Sequence, residues 1–400
     1  MSRETAADKV SDSHGDSERA TEVERFGDPD RRMYLKTVGA VGAATAGSGL
    51  LTAAASAAAY PDALTGIRGA QYFQYGSWNN YQIWSNYANA EIERDLDYAR
   101  SLGLNSLRVL ASYEYWQEDG PSFFAHVEHF LTECDARGIR PILVLFEAPP
   151  EDEPTEANRT DTDPETAFGV HSPSRENVIQ PRDWSGWARS PLHFTRRWAE
   201  EFGEDSRLLA TEIMNEPGDV QPRQDFVKDM LAEFVANAPN GTVTMGCKDF
   251  QYNDVYDEND DLDIHQFHMN LPVDEQAARD YLAQAEQHRA NTGKPLWCTE
   301  WQRTREEPPN RFLPNYESLA PIVDDAHANG QIDGDFFWQL MLKPAYLQTP
   351  RQNGRVNGLF HEDGTPFDAS DRDALAGVER YYPDGWQNHS FPYPDPEYFN

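Results

Sequence analysis

The chain has 400 residues, with 68 acidic against 34 basic side chains for a formal net charge of −34, and it is 39% hydrophobic and 12% aromatic. Such a surface repels nucleic acid and anionic membranes and excludes both as partners, while the apolar share is sufficient for a packed core. Only Lys9, Lys36, Lys228, Lys248, Lys294 and Lys343 are lysines, so 34 − 6 leaves 28 arginines. Acid spread along the whole chain points to adaptation to high salt, which screens self-repulsion.

Residues 1–30 are polar, charged and aperiodic, the pattern of a disordered acidic N-terminal region. In segment 31–59, the paired arginines Arg31 and Arg32 precede an uncharged Ala/Gly-rich run that ends in small residues, AASAAA. That pattern resembles a twin-arginine export signal, with cleavage near Ala59, which places the mature chain outside the cell with no stable membrane insertion. A retained anchor is the alternative, because the run is just long enough to span a bilayer. Residues 1–59 carry seven basic and nine acidic side chains, so removal would leave −34 + 2 = −32. Cys134, Cys247 and Cys298 have neither a disulfide framework nor metal-type spacing, and are expected as buried thiols.

From Gly66 onward, apolar runs alternate with helical periodicity. Strands are predicted at 66–73, 104–110, 139–146, 208–214, 241–247, 262–268, 294–300 and 334–340. Helices are predicted at Ala90–Leu102, Phe123–Ala136, Leu192–Phe202, Arg223–Ala236, Val273–Ala290, Tyr316–Ala328 and Arg372–Arg380. No helix is evident after the fifth strand, where 249–261 is short and acidic. Eight strands with little alternation, mostly followed by helices, predict a parallel sheet covered on its outer face. Closed on itself, that is an α/β fold, a single (β/α)8 TIM barrel over 60–380, a size one such domain accommodates. A long insertion, 148–190, follows strand 3, and an aromatic and Pro-rich tail occupies 381–400.

In such a barrel, chemistry sits at the C-terminal ends of strands. Those ends supply Arg108, Glu147, Asn215 with Glu216, His268, Glu300 and Trp338. Two carboxylates at the ends of strands four and seven, Glu216 and Glu300, could face each other across the mouth. That pair is the minimal machinery for cleaving a glycosidic bond, and a separation of roughly 5–5.5 Å would let one of them attack the sugar directly. No metalloprotease motif, Cys/His cluster or phosphate loop is present, so neither a metal nor an organic cofactor is expected. The acidic run NDVYDENDDLD (253–263) lacks the order of a calcium loop and is expected as a solvated surface.

The NEP at 215–217 and the TE at 299–300 resemble the acid/base and nucleophile motifs of the retaining β-glycoside hydrolases of clan A, most of all family 5, the cellulases and mannanases. LGLNSLRVL, HFTRRWAEEFGEDSRLLATEIMNEP, LDIHQFH, FFWQL and NGLFHEDGTPFD match that family in order, from about Gly66 to Arg380. The resemblance implies Glu216 as acid/base, with burial and its neighbouring carboxylate raising its pKa, and Glu300 as nucleophile, oriented by Arg108. It further implies Asn215 at the sugar 2-hydroxyl, His268 rather than His265 in the site, and Trp338 as the floor of the sugar site. Trp301 and Gln302 are expected to reach the cleft. Trp78 and Trp116, with Tyr72, Tyr75, Tyr113 and Tyr115, are expected as sugar platforms in the loops after strands one and two.

Three departures limit the carry-over: Asn270 stands where the family usually has a tyrosine, Glu147 where the cellulase branch ends strand three in histidine, and TEWQ replaces an aromatic-glycine continuation. The expectation is therefore a monomeric, secreted hydrolase of oligo- or polysaccharides, an endo-β-1,4-glucanase or β-mannanase first. An exo-acting β-glycosidase, with the insertion walling one end of the cleft, and a non-hydrolytic carbohydrate-binding barrel remain as alternatives.

Overall fold

A computed structural model describes residues 64–179, 188–305, 314–348, 350 and 355–377. The export signal and the C-terminal tail expected from the sequence lie outside these residues. The eight expected strands all form: β1 (Ile67–Gln71), β2 (Ser106–Leu110), β3 (Ile142–Glu147), β4 (Ala210–Asn215), β5 (Val243–Gly246), β6 (His265–Met269), β7 (Leu296–Trp301) and β8 (Gly334–Phe337). They pair in parallel in the order β5-β4-β3-β2-β1-β8-β7-β6. A single isolated bridge, Thr244 to Ile264, joins β5 to β6, so the barrel is nearly closed with a seam there. This is a (β/α)8 TIM barrel.

The helices are α1 (Asn80–Ser85), α2 (Asn89–Ser101), α3 (Tyr113–Ala136), α4 (Glu156–Thr160), α5 (Arg175–Ile179), α6 (Pro191–Phe202), α7 (Gln221–Asn237), α8 (Asn253–Tyr256), α9 (Glu275–Thr292), α10 (Ala320–Ala328) and α11 (Ala369–Ala376). Their starts follow local chemistry. Ser190 caps α6 by accepting from the His193 N–H at 3.1 Å, with Pro191 at the first helical position, where its missing N–H costs nothing. Asp274 caps α9 in the same way through Ala277. The helix expected from Phe123 begins ten residues earlier, because Ser112 caps Tyr113–Ala136, and its non-helical residue Asp119 lies just before Pro121. After β5 there is only a 3-10 turn, Phe250–Tyr252, and the short α8.

Apolar side chains sort into two cores. The larger lies between the sheet and the surrounding helices and includes buried Cys134, Cys247 and Cys298, all free thiols. The smaller plugs the barrel floor with Ile67, Ile142, Leu209, Ala210, Ile264, Trp297 and Phe336. Above that floor the interior becomes polar, and the candidate site begins there.

Candidate active site

The deepest polar layer centres on Arg108, which is fully buried on β2. Its Nε and Nη2 clasp Glu212 of β4 at 2.8 and 2.5 Å, its Nη1 donates to Gln71 and Glu300 at 3.1 and 2.9 Å, and its Nη2 also donates to Asn215 at 2.6 Å. Burial opposes the guanidinium charge, but Glu212, Glu300 and Glu147 outweigh it and hold Arg108 firmly protonated. The expectation that Arg108 braces Glu300 matches this contact. The sequence reading missed Glu212, the residue that takes most of the guanidinium. Gln266 donates to Glu212 at 3.2 Å and accepts from the Thr299 hydroxyl at 2.7 Å, which fixes both. Gly246 of β5 leaves room for this arrangement, since a Cβ there would meet Glu212 Oε1 at 2.1 Å.

Two irregular strand ends aim the catalytic candidates. In β7 the pairing with β6 slips so that Phe267 faces Cys298 but His268 faces Glu300, which makes Thr299 an extra residue. A bulge of this kind puts consecutive side chains on one face. Thr299 and Glu300 both contact groups of the barrel interior. In β4 the register also shifts between Glu212 and Asn215, and Glu216 follows with φ +41°, a left-handed conformation unusual for a non-glycine residue. Its N–H is held by the Gly246 carbonyl at 2.8 Å.

These turns bring Glu216, Glu300 and His268 together. One side-chain ligand atom from each lies within 4.8 Å of the others. His268 Nδ1 is 2.7 Å from Glu216 Oε1 and 3.4 Å from Glu300 Oε2. A carboxyl pair this close matches direct attack on a sugar, at about 5–5.5 Å, and not the wider gap of about 6.5–9.5 Å that admits a water. Glu300 Oε2 also accepts from Asn270 Nδ2 at 2.8 Å, and Gln302 orients Asn270 through its Oδ1 at 2.8 Å. Asn270 thus supplies a hydrogen bond to Glu300 at the position where the family pattern led one to look for a tyrosine.

The two remaining carboxyls differ in proton affinity. Burial pushes Glu216 up, but the hydrogen bond and charge of His268, with Lys248 and Arg108, outweigh it and hold this carboxyl below its usual range. The expectation of a raised pKa is corrected for the free protein, because His268 rather than the neighbouring carboxylate dominates its surroundings. Glu147, at the end of β3, is pushed well above the usual carboxylate range by burial, although the Asn215 amide and Arg108 pull the other way. Asn215 Nδ2 donates to both Glu147 oxygens at 3.1 and 3.2 Å, so this amide is shared with the protein before any sugar hydroxyl arrives. The buried Tyr346 hydroxyl has no partner among the described residues and feels both Glu147 and Glu300.

The aromatic expectations divide. Trp338 stands beside Phe73 and Tyr346, at ring separations of 5.9 Å each. Trp78 lies 5.7 Å from the Lys343 ammonium, which also sits 5.6 Å from Phe73 and donates to the carbonyls of Gln74, Tyr75 and Ser77. Trp301 does not reach the cleft. The bulge at Thr299 turns it outward, where its indole N–H donates to Asp335 and its ring packs on Tyr316 and Phe337. Trp116 and Tyr113 are not platforms either. They lie buried in the first turn of α3, against Phe194. Tyr72 is buried with its hydroxyl on Asp95. His265 faces away from the site, toward Asp257 and His288.

The cellulase model, glycosyl hydrolase family 5, matches residues 64–338, a span that contains Arg108, Glu147, Glu212, Asn215, Glu216, His268, Asn270, Glu300 and Trp338. The chain belongs to glycosyl hydrolase family 5. That family is one of glycoside hydrolases. No curated protein sequence matches it significantly. The exo-β-1,4-mannosidase Op5Man5 from Opitutaceae bacterium strain TAV5 superposes with a TM-score of 0.58 at 17% identity, over 78% of this chain and 58% of its own. The family 5 subfamily 18 protein from Bifidobacterium longum subsp. longum ATCC 55813, in complex with Manβ1-4GlcNAc, gives 0.57 at 14% identity, over 78% of this chain and 77% of its own. The hyperthermostable endo-1,4-β-D-mannanase from Thermotoga petrophila RKU-1 gives 0.51 at 15%, over 76% of this chain and 99% of its own. At these identities the structures share the fold; this family 5 chain spans little more than half the length of the first.

Proposed function

We propose that this family 5 chain releases sugar residues from the ends of β-mannosides or related β-1,4-linked chains by double displacement. The observation that carries the mechanism is the convergence of Glu216, His268 and Glu300 within 4.8 Å, with Arg108 and Asn270 donating to Glu300. Glu300 attacks the anomeric carbon while the Glu216 carboxyl, in its protonated form, delivers a proton to the leaving oxygen, breaking the glycosidic bond. The Glu216 carboxylate then takes a proton from water, which attacks the same carbon and frees Glu300. Glu147, Asn215 and Tyr346 form the polar wall that reads the sugar hydroxyls.

The insertion favours exo over endo action, reversing the order suggested by the sequence. It leaves the site at Glu147 and returns beside it, through a bridge between Glu147 and Ser172. Gly169 donates to the Tyr346 carbonyl at 2.9 Å, packed so closely that a Cβ would meet the Tyr346 ring at 2.3 Å. On the other side the Arg159 carbonyl accepts from Asn79 and Gln82, and the Arg159 guanidinium pairs with Glu118 over the Tyr81 ring. The loops after β1, β3 and β8 are thereby tied into one wall, and several aromatics that could have lined extra subsites are buried elsewhere. The names of the structural neighbours put β-mannosides first among substrates to try.

Export through a twin-arginine route and adaptation to salt belong to the same proposal, supported by the paired arginines and the charge of −34. In concentrated salt, aryl β-mannosides and short manno-oligosaccharides should yield only monosaccharide, while polymer viscosity hardly falls. A rapid drop in viscosity with oligomeric products would mean endo action. Binding without turnover of any aryl glycoside would mean a non-hydrolytic barrel.

A further inference from the structure

The acidic run after β5, which the catalytic reading leaves unused, meets two histidines on the outside of the barrel. Asp254 of α8, His265 at the start of β6 and His288 of α9 each place one donor atom within 4.8 Å of the others. His265 Nδ1 and His288 Nε2 are 2.9 Å apart. His265 Nε2 lies 2.9 Å from Asp257 Oδ2, and Lys294 also pairs with that carboxylate. With its Nε2 proton given to Asp257, His265 turns its Nδ1 lone pair toward His288. This is the arrangement of a metal-binding imidazole, whose second nitrogen is fixed by a carboxylate. The exposed Asp254 supplies a hard third donor, the one carboxylate of the trio.

We propose that Asp254, His265 and His288 bind a divalent transition ion of the zinc class, with water completing a tetrahedral shell. At metal–nitrogen distances of about 2.0–2.1 Å, two imidazoles at a tetrahedral angle stand roughly 3.3 Å apart, so the rings need open by only a few tenths of an ångström. His288 carries its remaining proton on Nδ1 in the bound state and presents Nε2 to the metal. The location gives the ion a job. The ladder between β5 and β6 is missing, and protein contacts span the gap piecemeal: Asn253 pairs with the Gln266 backbone at 2.8 and 2.9 Å, and the Thr244 hydroxyl donates to Ile264 at 2.9 Å. The trio draws its ligands from α8, β6 and α9, so a metal there would staple the seam. Ligand spacings of eleven and twenty-three residues explain why no sequence motif announced it.

The test uses the full chain, freed of metal with chelator and then given one equivalent of Zn2+ or Co2+. Zn2+ should raise the melting temperature by a few degrees, and Co2+ should give the visible absorption of a tetrahedral site. Both effects should vanish in His288→Ala and weaken in Asp254→Asn, the latter serving if the former fails to fold. An equal rise with Mg2+ would show mere screening of the acidic surface and overturn the proposal. So would absence of any Co2+ spectrum, its persistence in His288→Ala, or its loss in Glu216→Gln instead, which would place the metal among the catalytic groups.

Discussion

The floor and the mouth of the barrel interior come from the same strands, yet they are built from opposite chemistry. The floor is a dry cluster of Ile67, Ile142, Leu209, Ile264, Trp297 and Phe336. One layer up, the strands present Gln71, Arg108, Glu212, Gln266 and Thr299, all buried, and then the carboxyls of Glu147, Glu216 and Glu300. Hydrophobic residues could have filled the upper layer as they fill the floor, and replacing a buried ion pair in that way is often neutral or stabilising. The upper layer is better explained by function: Glu212 and Gln71 hold Arg108 so that one guanidinium nitrogen always points at Glu300. The floor serves stability alone, whereas the layer above couples stability to chemistry.

That contrast can be broken by substitution. Glu300→Gln should lower kcat by about 10⁴-fold or more in steady-state assays while leaving the melting temperature near that of the parent, because it removes the attacking group and little packing. Glu216→Ala should slow substrates with poor leaving groups by about 10²–10⁴-fold and spare the first step on activated aryl glycosides. Equal damage to both would take the acid role from Glu216. Glu212→Ala and Phe336→Ala should each cost about 3–5 kcal/mol in denaturant titrations. Only Glu212→Ala should also depress kcat of the folded fraction, and a matching loss in Phe336→Ala would erase the distinction between the layers. Asn270→Ala removes one charge-assisted hydrogen bond to Glu300, worth about 1.5–3 kcal/mol, and should reduce kcat/KM by roughly 10–100-fold.

The smallest effect concerns pH. His268 holds the Glu216 carboxyl low, so removing the imidazole raises the Glu216 pKa. The alkaline limb of kcat/KM, which reports the group that must carry a proton, should therefore move to higher pH in His268→Ala. A shift to lower pH would show that another group governs that limb.

Much of this was legible in the chain. All eight strands announced themselves as short apolar runs, and Glu216 and Glu300 stood out because an ionisable group ended such a run. The rest failed for local reasons. Glu212 sits inside β4, where a carboxylate between Thr211 and Ile213 has no meaning until Arg108 arrives from 104 residues away. Trp301 is expected in the cleft beside Gln302 as part of the TEWQ continuation, but the bulge at Thr299 keeps Glu300 inside and turns Trp301 outward onto Asp335. Trp116 looked like a loop platform because nothing in ASYEYW foretold that Ser112 caps a helix there. Bulges and caps are decided by a few contacts, and the pattern of apolar residues does not encode them.

The central claim is that Glu300 attacks the sugar. A 2-deoxy-2-fluoro β-mannosyl fluoride slows release of the glycosyl-enzyme, and peptide mapping by mass spectrometry then locates the captured sugar. The account predicts one added fluoromannosyl group on Glu300, formed at the rate activity is lost. A label on Glu147 or Glu212, or steady turnover that yields inverted product with no label, would contradict it.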